Sequence, residues 1–145
     1  MATGLQNEII YSFVVQARNA YGLSAYSAKV DILCAFKPEP PISVVTSNFG
    51  NSILIDWTPG PTNGLPITAY AIYIRKQDNT YAQNLMYCNG AYAVYVSGRQ
   101  CTVPLADLTS TPFNLLLGDH VDVKVIASNV YGSSEFSAVG DGAVI

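Results

Sequence analysis

The sequence predicts an all-β protein: a two-sheet sandwich of seven short strands, preceded by an extra β-hairpin. Three observations carry this. Apolar and polar residues alternate with period two along the chain, and no segment sustains a helical period. Turn residues interrupt that alternation at short intervals. Residues 15–28 also recur 110 positions later as residues 125–138. Eight of the fourteen aligned residues are identical, as Val15/Val125, Ala17/Ala127, Asn19/Asn129, Tyr21/Tyr131, Gly22/Gly132, Ser24/Ser134, Ser27/Ser137 and Ala28/Ala138. A period of that length fits one compact β-domain better than a small solenoid unit. The chain of 145 residues therefore holds about one and a third repeats.

The elements follow in order. Tyr11, Phe13, Val15 and Ala17 alternate with Ser12, Val14, Gln16 and Arg18, which reads as a strand. Residues 19–22 supply the turn and residues 27–33 the returning strand. Pro38, Pro40 and Pro41 then stiffen the backbone and break any ladder. The expected organisation is a partial repeat over 1–36, a proline-rich linker over 37–41 and a complete domain over 42–145. In that domain, residues 42–46 fit a first strand. Residues 52–57 follow with Ile53, Ile55 and Trp57 on one face, the last a central core residue. The segment from Thr58 to Pro66 is dense in turn signals, and residues 67–75 form a strand presenting Tyr70, Ile72 and Ile74 inward. Residues 77–90 are less regular. Residues 91–96 and 101–105 read as strands, 108–118 as a long connection, and 121–128 with 134–139 as the closing hairpin.

These motifs resemble tandem fibronectin type III repeats, an immunoglobulin-like sandwich family. The resemblance rests on the proline-marked entry at Pro40 and Pro41, the second strand ending in Trp57-Thr58-Pro59, and the run from Asn63 to Tyr70 leading into the third strand. The most specific part is the closing pattern Val121, Val123, Val125, Ala127, Asn129, Gly132 and Ser134, repeated as Tyr11, Phe13, Val15, Ala17, Asn19, Gly22 and Ser24. It implies that residues 1–36 hold the last two strands of a preceding domain. The family's corner tyrosine, whose hydroxyl caps the turn before the sixth strand, is matched by Tyr11; Val121 stands there in the complete domain. Packing of Leu108 and Phe113 is expected to hold that second corner. The chain has no Arg-Gly-Asp tripeptide, so integrin binding is not implied.

Composition narrows the function. Only 12% of residues are charged and the net charge is −3. No basic cluster exceeds Arg75-Lys76, which disfavours nucleic acid and anionic membranes as partners. Mean hydropathy is +0.25, leaving weakly polar surface suited to cover by a partner or a modification. No apolar run approaches the roughly 18 residues that span a bilayer, so no membrane insertion is expected in this segment. The opening residues 1–4 lack the basic and apolar regions of a signal peptide, so a secretion signal would lie outside the segment. Cys88 and Cys101 flank twelve residues rich in strand formers and turns, and either bridge a local hairpin or loop or stay reduced. A bridge indicates an oxidising compartment. Cys34 is the odd cysteine: buried, paired between chains, or paired beyond this segment.

Catalytic chemistry is not indicated. His120 is the single histidine; a triad or metal site around it would have to draw on Asp119 or Asp122, and an exposed loop-end histidine is the simpler assignment. No calcium loop, paired acids or phosphate-binding glycine loop is present. The expectation is a non-enzyme without cofactor or metal. Tyr81, Tyr87, Tyr92 and Tyr95 crowd the cysteine pair and are candidate interface or glycan contacts. No N-glycosylation sequon occurs. Thr58, Thr62 and Thr111, next to prolines, are O-glycan candidates.

An isolated hairpin is marginal in water, and one presenting Tyr11, Phe13, Val15, Ala17 and Tyr21 needs a partner. The leading expectation is a structural repeat of an extracellular or cell-surface fibre, assembled head to tail with neighbouring copies or adjacent repeats, in which Glu8 to Leu33 completes a neighbour. The alternatives are a spacer or ligand-binding module of an adhesion receptor, and a carbohydrate-binding accessory domain using the tyrosine cluster.

Overall fold

The computed structural model describes residues 4–145; residues 1–3, at the head of the expected partial repeat, lie outside the described residues. The N-terminal hairpin comprises β1 (Ile10–Phe13), β2 (Arg18–Asn19), β3 (Gly22–Leu23) and β4 (Val30–Leu33). β1 pairs antiparallel with β4, and β2 with β3. Beyond it stand the seven strands of the sandwich: β5 (Ser43–Phe49), β6 (Ser52–Thr58), β7 (Ala69–Arg75), β8 (Tyr81–Ala82), β9 (Gln100–Pro104), β10 (Val123–Asn129) and β11 (Gly132–Ser133). One sheet has the order β5-β6-β9, the other β11-β10-β7-β8. The fold is all-β, a fibronectin type III-like sandwich.

Period-two alternation sets the core. Ile53, Ile55 and Trp57 from β6 face Tyr70, Ile72 and Ile74 from β7 and Val123, Val125 and Ala127 from β10, all buried. Register aligns Ile72 with Val125 and Ile74 with Val123 on one sheet, and Ile53 with Val103 on the other. Each such side chain contributes roughly 1.5–3 kcal/mol by leaving water. Trp57 and Tyr70 meet edge to face with ring centroids 5.2 Å apart.

Both open edges of the sandwich are closed. On one side the segment after β11 inserts between β10 and β5. Gly140 bonds Val123 in both directions at 2.8 Å, and the Thr46 amide donates to the Asp141 carbonyl at 3.1 Å. A Cβ at Gly140 would stand 2.3 Å from the Val44 carbonyl oxygen, so only glycine fits there. On the other side the Tyr70 amide donates to the Gly90 carbonyl at 2.9 Å, and the Cys88–Cys101 disulfide, Cα atoms 5.4 Å apart, ties that edge to β9.

Three expectations need correction. Residues 91–96 are not a strand: α1 (Ala93–Gly98) turns Tyr95 and Val96 together against the core. A strand would send these two neighbours to opposite faces. Residues 134–139 do not continue a regular ladder either: they stay beside β10, with the Ser134 and Ser137 amides donating to the Ala127 and Val125 carbonyls, but serine hydroxyls replace main-chain carbonyls as acceptors for the β10 amides. A second short helix, α2 (Leu105–Leu108), opens the connection expected to begin at Leu108. Within that connection Leu108 and Phe113 are both buried.

The corner before the sixth strand is built in two ways. In the N-terminal copy the Tyr11 hydroxyl accepts from the Gln6 amide at 2.8 Å. In the complete domain the amide of Leu116, the residue aligned with Gln6, donates instead to Asp119 Oδ2 at 2.8 Å. A carboxylate three residues on thus does the work of the missing tyrosine hydroxyl.

Candidate functional site at the repeat junction

The sequence repeat is a repeat of hydrogen bonds. In the complete domain the Ser134 and Ser137 hydroxyls accept from the amides of Ala127 and Val125, both at 3.0 Å, and donate onward to the carbonyls of Glu135 and Ala138 at 2.7 Å. In the N-terminal copy Ser24 and Ser27 accept from Ala17 at 2.9 Å and Val15 at 3.0 Å, and donate to Ala25 and Ala28 at 2.8 and 2.9 Å. Main-chain bonds match too: Ser24 to Ala17 and Ser134 to Ala127 are both 2.8 Å. Each turn uses an asparagine whose Oδ1 accepts from the tyrosine amide two residues on, at 2.9 Å in both copies. Gly22 and Gly132 then adopt φ of 140° and 143°, a region that disfavours any side chain. The identical residues are therefore those that build the turn and its hydroxyl bridges.

Burial separates the copies. Val125 is 0% exposed and Val15 is 70% exposed; Val123 is 0% exposed and Phe13 37%. Ala17 and Tyr21 are exposed and Tyr11 half-buried. One closing hairpin is packed into its sandwich. The other has the same main-chain architecture with its core-facing side chains in solvent, together with Val30 and Ile32 from β4.

The linker joins the copies through main-chain contacts. Pro38 and Pro41 are buried. The Phe36 amide donates to the Asn63 carbonyl at 3.1 Å, Asn63 Nδ2 donates back to the Lys37 carbonyl at 2.8 Å, and the Glu39 amide donates to the Pro61 carbonyl at 2.9 Å. From the closing turn, Asn129 Nδ2 donates to the Phe36 carbonyl at 2.7 Å. Lys37 Nζ meets Glu135 Oε1 at 3.0 Å, an exposed pair of small energetic weight. The segment before β1 joins the same cluster: the Glu8 amide donates to the Cys34 carbonyl at 2.8 Å. Gly64, at φ 92°, approaches Ala35 and Cys34, where a Cβ would lie 3.2 Å from the Ala35 side chain. The linker is thus bound along its length to the loop carrying Asn63 and to the turn carrying Asn129. Neither asparagine's amide role was readable from sequence, since the partners lie far away along the chain.

The other candidate residues are dispersed. Tyr92, exposed, and Tyr95, half-buried, come within 6.5 Å of each other at 35°. Tyr87 packs against the core. Tyr81 lies instead on the outer face of the β7 sheet, under Lys124 Nζ at 4.6 Å. The four tyrosines do not form one platform. Thr58 and Thr111 are exposed; Thr62 is half-buried, and its carbonyl accepts from Asn129 at 3.4 Å. Asp122 pairs with Arg75 at 2.8 Å and Asp119 holds the corner, so neither faces His120 as a triad or metal partner. Among the described residues no group of three His, Cys, Asp or Glu comes together to hold a metal, and no helix is long and apolar enough to cross a membrane. Cys34 is half-buried and unpaired among the described residues.

No protein-family model and no curated protein matches the sequence. Solved structures do resemble it. Domains A168–A170 of titin align with 97% of this chain at 22% identity and a TM-score of 0.60, over 42% of that structure's length. The twitchin kinase region from C. elegans aligns with 71% at 20% identity and a TM-score of 0.51, over 16% of its length. The FN1–FN3 domains of chicken CNTN1 align with 72% at 17% identity and a TM-score of 0.50, over 31% of their length. The chain spans less than half the length of each. At these identities the likeness establishes the fold alone, a fibronectin type III-like sandwich.

Proposed function

We propose that this chain is a non-catalytic unit in a head-to-tail row of sandwiches on an extracellular structural or adhesive protein. In this reading the hairpin Glu8–Leu33 completes the neighbouring unit, and the bound linker fixes the angle between the two. One observation carries the proposal: the same hydrogen-bonded closing hairpin occurs twice, buried in its sandwich at Val125 and 70% exposed at Val15. In the buried copy, β10 packs in one core with Ile53, Ile55, Trp57 and Val103. The face of β1 therefore matches the inner face of a sheet of the β5-β6-β9 kind. The local sandwich cannot supply that sheet, because its own closing hairpin fills the place. The Cys88–Cys101 bridge supports an oxidising, extracellular setting.

Sedimentation over a concentration series tests the proposal. The full chain is expected to associate through its uncovered hairpin. Deleting residues 1–35 is expected to leave a folded monomer with the thermal midpoint of the sandwich unchanged. Association of the truncated chain to the same extent would contradict the reading.

A further inference from the structure

We infer that the turn of the N-terminal hairpin is the seat for the linker of the neighbouring sandwich, with the Asn19 side-chain amide donating to that linker's main-chain carbonyls. The inference rests on the reading of Glu8–Leu33 as a closing hairpin and names what its turn binds. A groove of about 290 Å³ runs along residues 17–24. The equivalent surface in the second copy is occupied. There Asn129 is 6% exposed, and its Nδ2 donates to the Phe36 carbonyl at 2.7 Å and more distantly to the Thr62 carbonyl at 3.4 Å. A Cβ on Gly132 would meet the Lys37 side chain at 3.8 Å, whereas one on Gly22 would meet nothing within 4 Å. Asn19 makes the same internal bond, its Oδ1 accepting from Tyr21 at 2.9 Å, while its Nδ2 donates to no group among the described residues.

The occupant follows from the second copy. There, Phe36 and Lys37 lead directly into β5, so linker and covering sheet belong to one sandwich. The partner that covers β1 therefore brings its own linker to Asn19. The recognised groups are backbone carbonyls of an extended segment entering a sandwich, so the contact tolerates side-chain variation in that segment. The ion pair of Lys37 with Glu135 has no counterpart, because Ala25 stands at the matching position. The incoming linker thus needs no basic residue there.

The test uses the chain from Glu8 onward with a copy of its own residues 36–117 placed ahead of Glu8, giving two full repeat lengths. The expected result is that the Asn19 side-chain amide protons, fast to exchange in the natural chain, become as slow as those of Asn129. Asn19→Asp keeps the oxygen that Tyr21 needs and removes the donor; it is expected to lower the folding equilibrium constant of the first sandwich about tenfold, the net effect of one lost hydrogen bond. The same substitution should be silent in the natural chain. If the β1 main-chain amides become protected but the Asn19 amide stays fast and Asn19→Asp is silent, linker seating is overturned while the closing-hairpin reading stands. If the β1 amides remain unprotected in the extended chain, both fall.

Discussion

Replacing Ser137 by alanine tests whether the hydroxyl bridges of the closing hairpin hold the sandwich together. Ser137 is 6% exposed, accepts from the Val125 amide at 3.0 Å and donates to the Ala138 carbonyl at 2.7 Å. Alanine leaves the Val125 amide without a partner in a strand whose side chains at Val123 and Val125 are fully buried. Leaving a buried donor unpaired costs about 1–3 kcal/mol, and the middle of that range, about 2, is expected here. With a urea slope of about 2 kcal/mol per molar for a domain of this size, the unfolding midpoint should fall by about 1 M with the slope unchanged. Ser27→Ala removes equivalent bonds, at 3.0 and 2.9 Å, from an exposed hairpin where water replaces them. Its expected effect is within about 0.5 kcal/mol. The assay is urea denaturation followed by Trp57 fluorescence. A shift for Ser137→Ala below about 0.3 M, on that same slope, would refute the assignment of these hydroxyls as ladder substitutes. So would equal shifts for the two variants in the natural chain.

Two further outcomes follow from the sandwich itself. Replacing Cys88 and Cys101 by serine removes a crosslink between residues 13 apart and should lower stability by about 3 kcal/mol on the chain-entropy account, measurable against the oxidised protein in the same urea series. In the turn after β7, the Thr80 hydroxyl and amide and then Lys76 hold the Asp78 carboxyl at about 2, below its ordinary 3.8. Because the folded value is the lower one, the stabilisation is present above pH 3.8 and is lost as pH falls through about 2. A carboxyl-carbon titration by NMR should show this midpoint, and Thr80→Ala should raise it; an ordinary midpoint in the unsubstituted chain would contradict the turn geometry.

The core was legible because β-alternation encodes it directly. Ile53, Ile55 and Trp57, and Tyr70, Ile72 and Ile74, point inward as their spacing requires. Where sequence misled, a local pattern was overridden by tertiary contacts. Tyr92, Val94 and Val96 alternate as in a strand, yet the short bridged segment between the cysteines coils into α1 and brings Tyr95 beside Val96 on the core. Ser134 and Ser137 fall in the segment expected to be the returning strand of the closing hairpin, but their hydroxyls intercept the amides of β10. Asp119, considered as a partner for His120, instead takes the amide that Tyr11 serves in the other copy. The junction was legible only as a proline-rich boundary. Its binding groups, Asn63 and Asn129, act on carbonyls of Phe36 and Lys37 that no sequence spacing identifies.

The most direct test of the central claim is backbone amide exchange at Val15 and Val125. In the natural chain, kept dilute enough to sediment as a monomer, Val125 should exchange only through global unfolding and Val15 at close to the rate of an open peptide. With residues 36–117 placed ahead of Glu8, Val15 should slow until the two agree within about tenfold, as expected for two hairpins of one design each packed in its own sandwich. A Val15 amide already as protected as Val125 in the natural chain, or one that stays fast in the extended chain, would contradict the account.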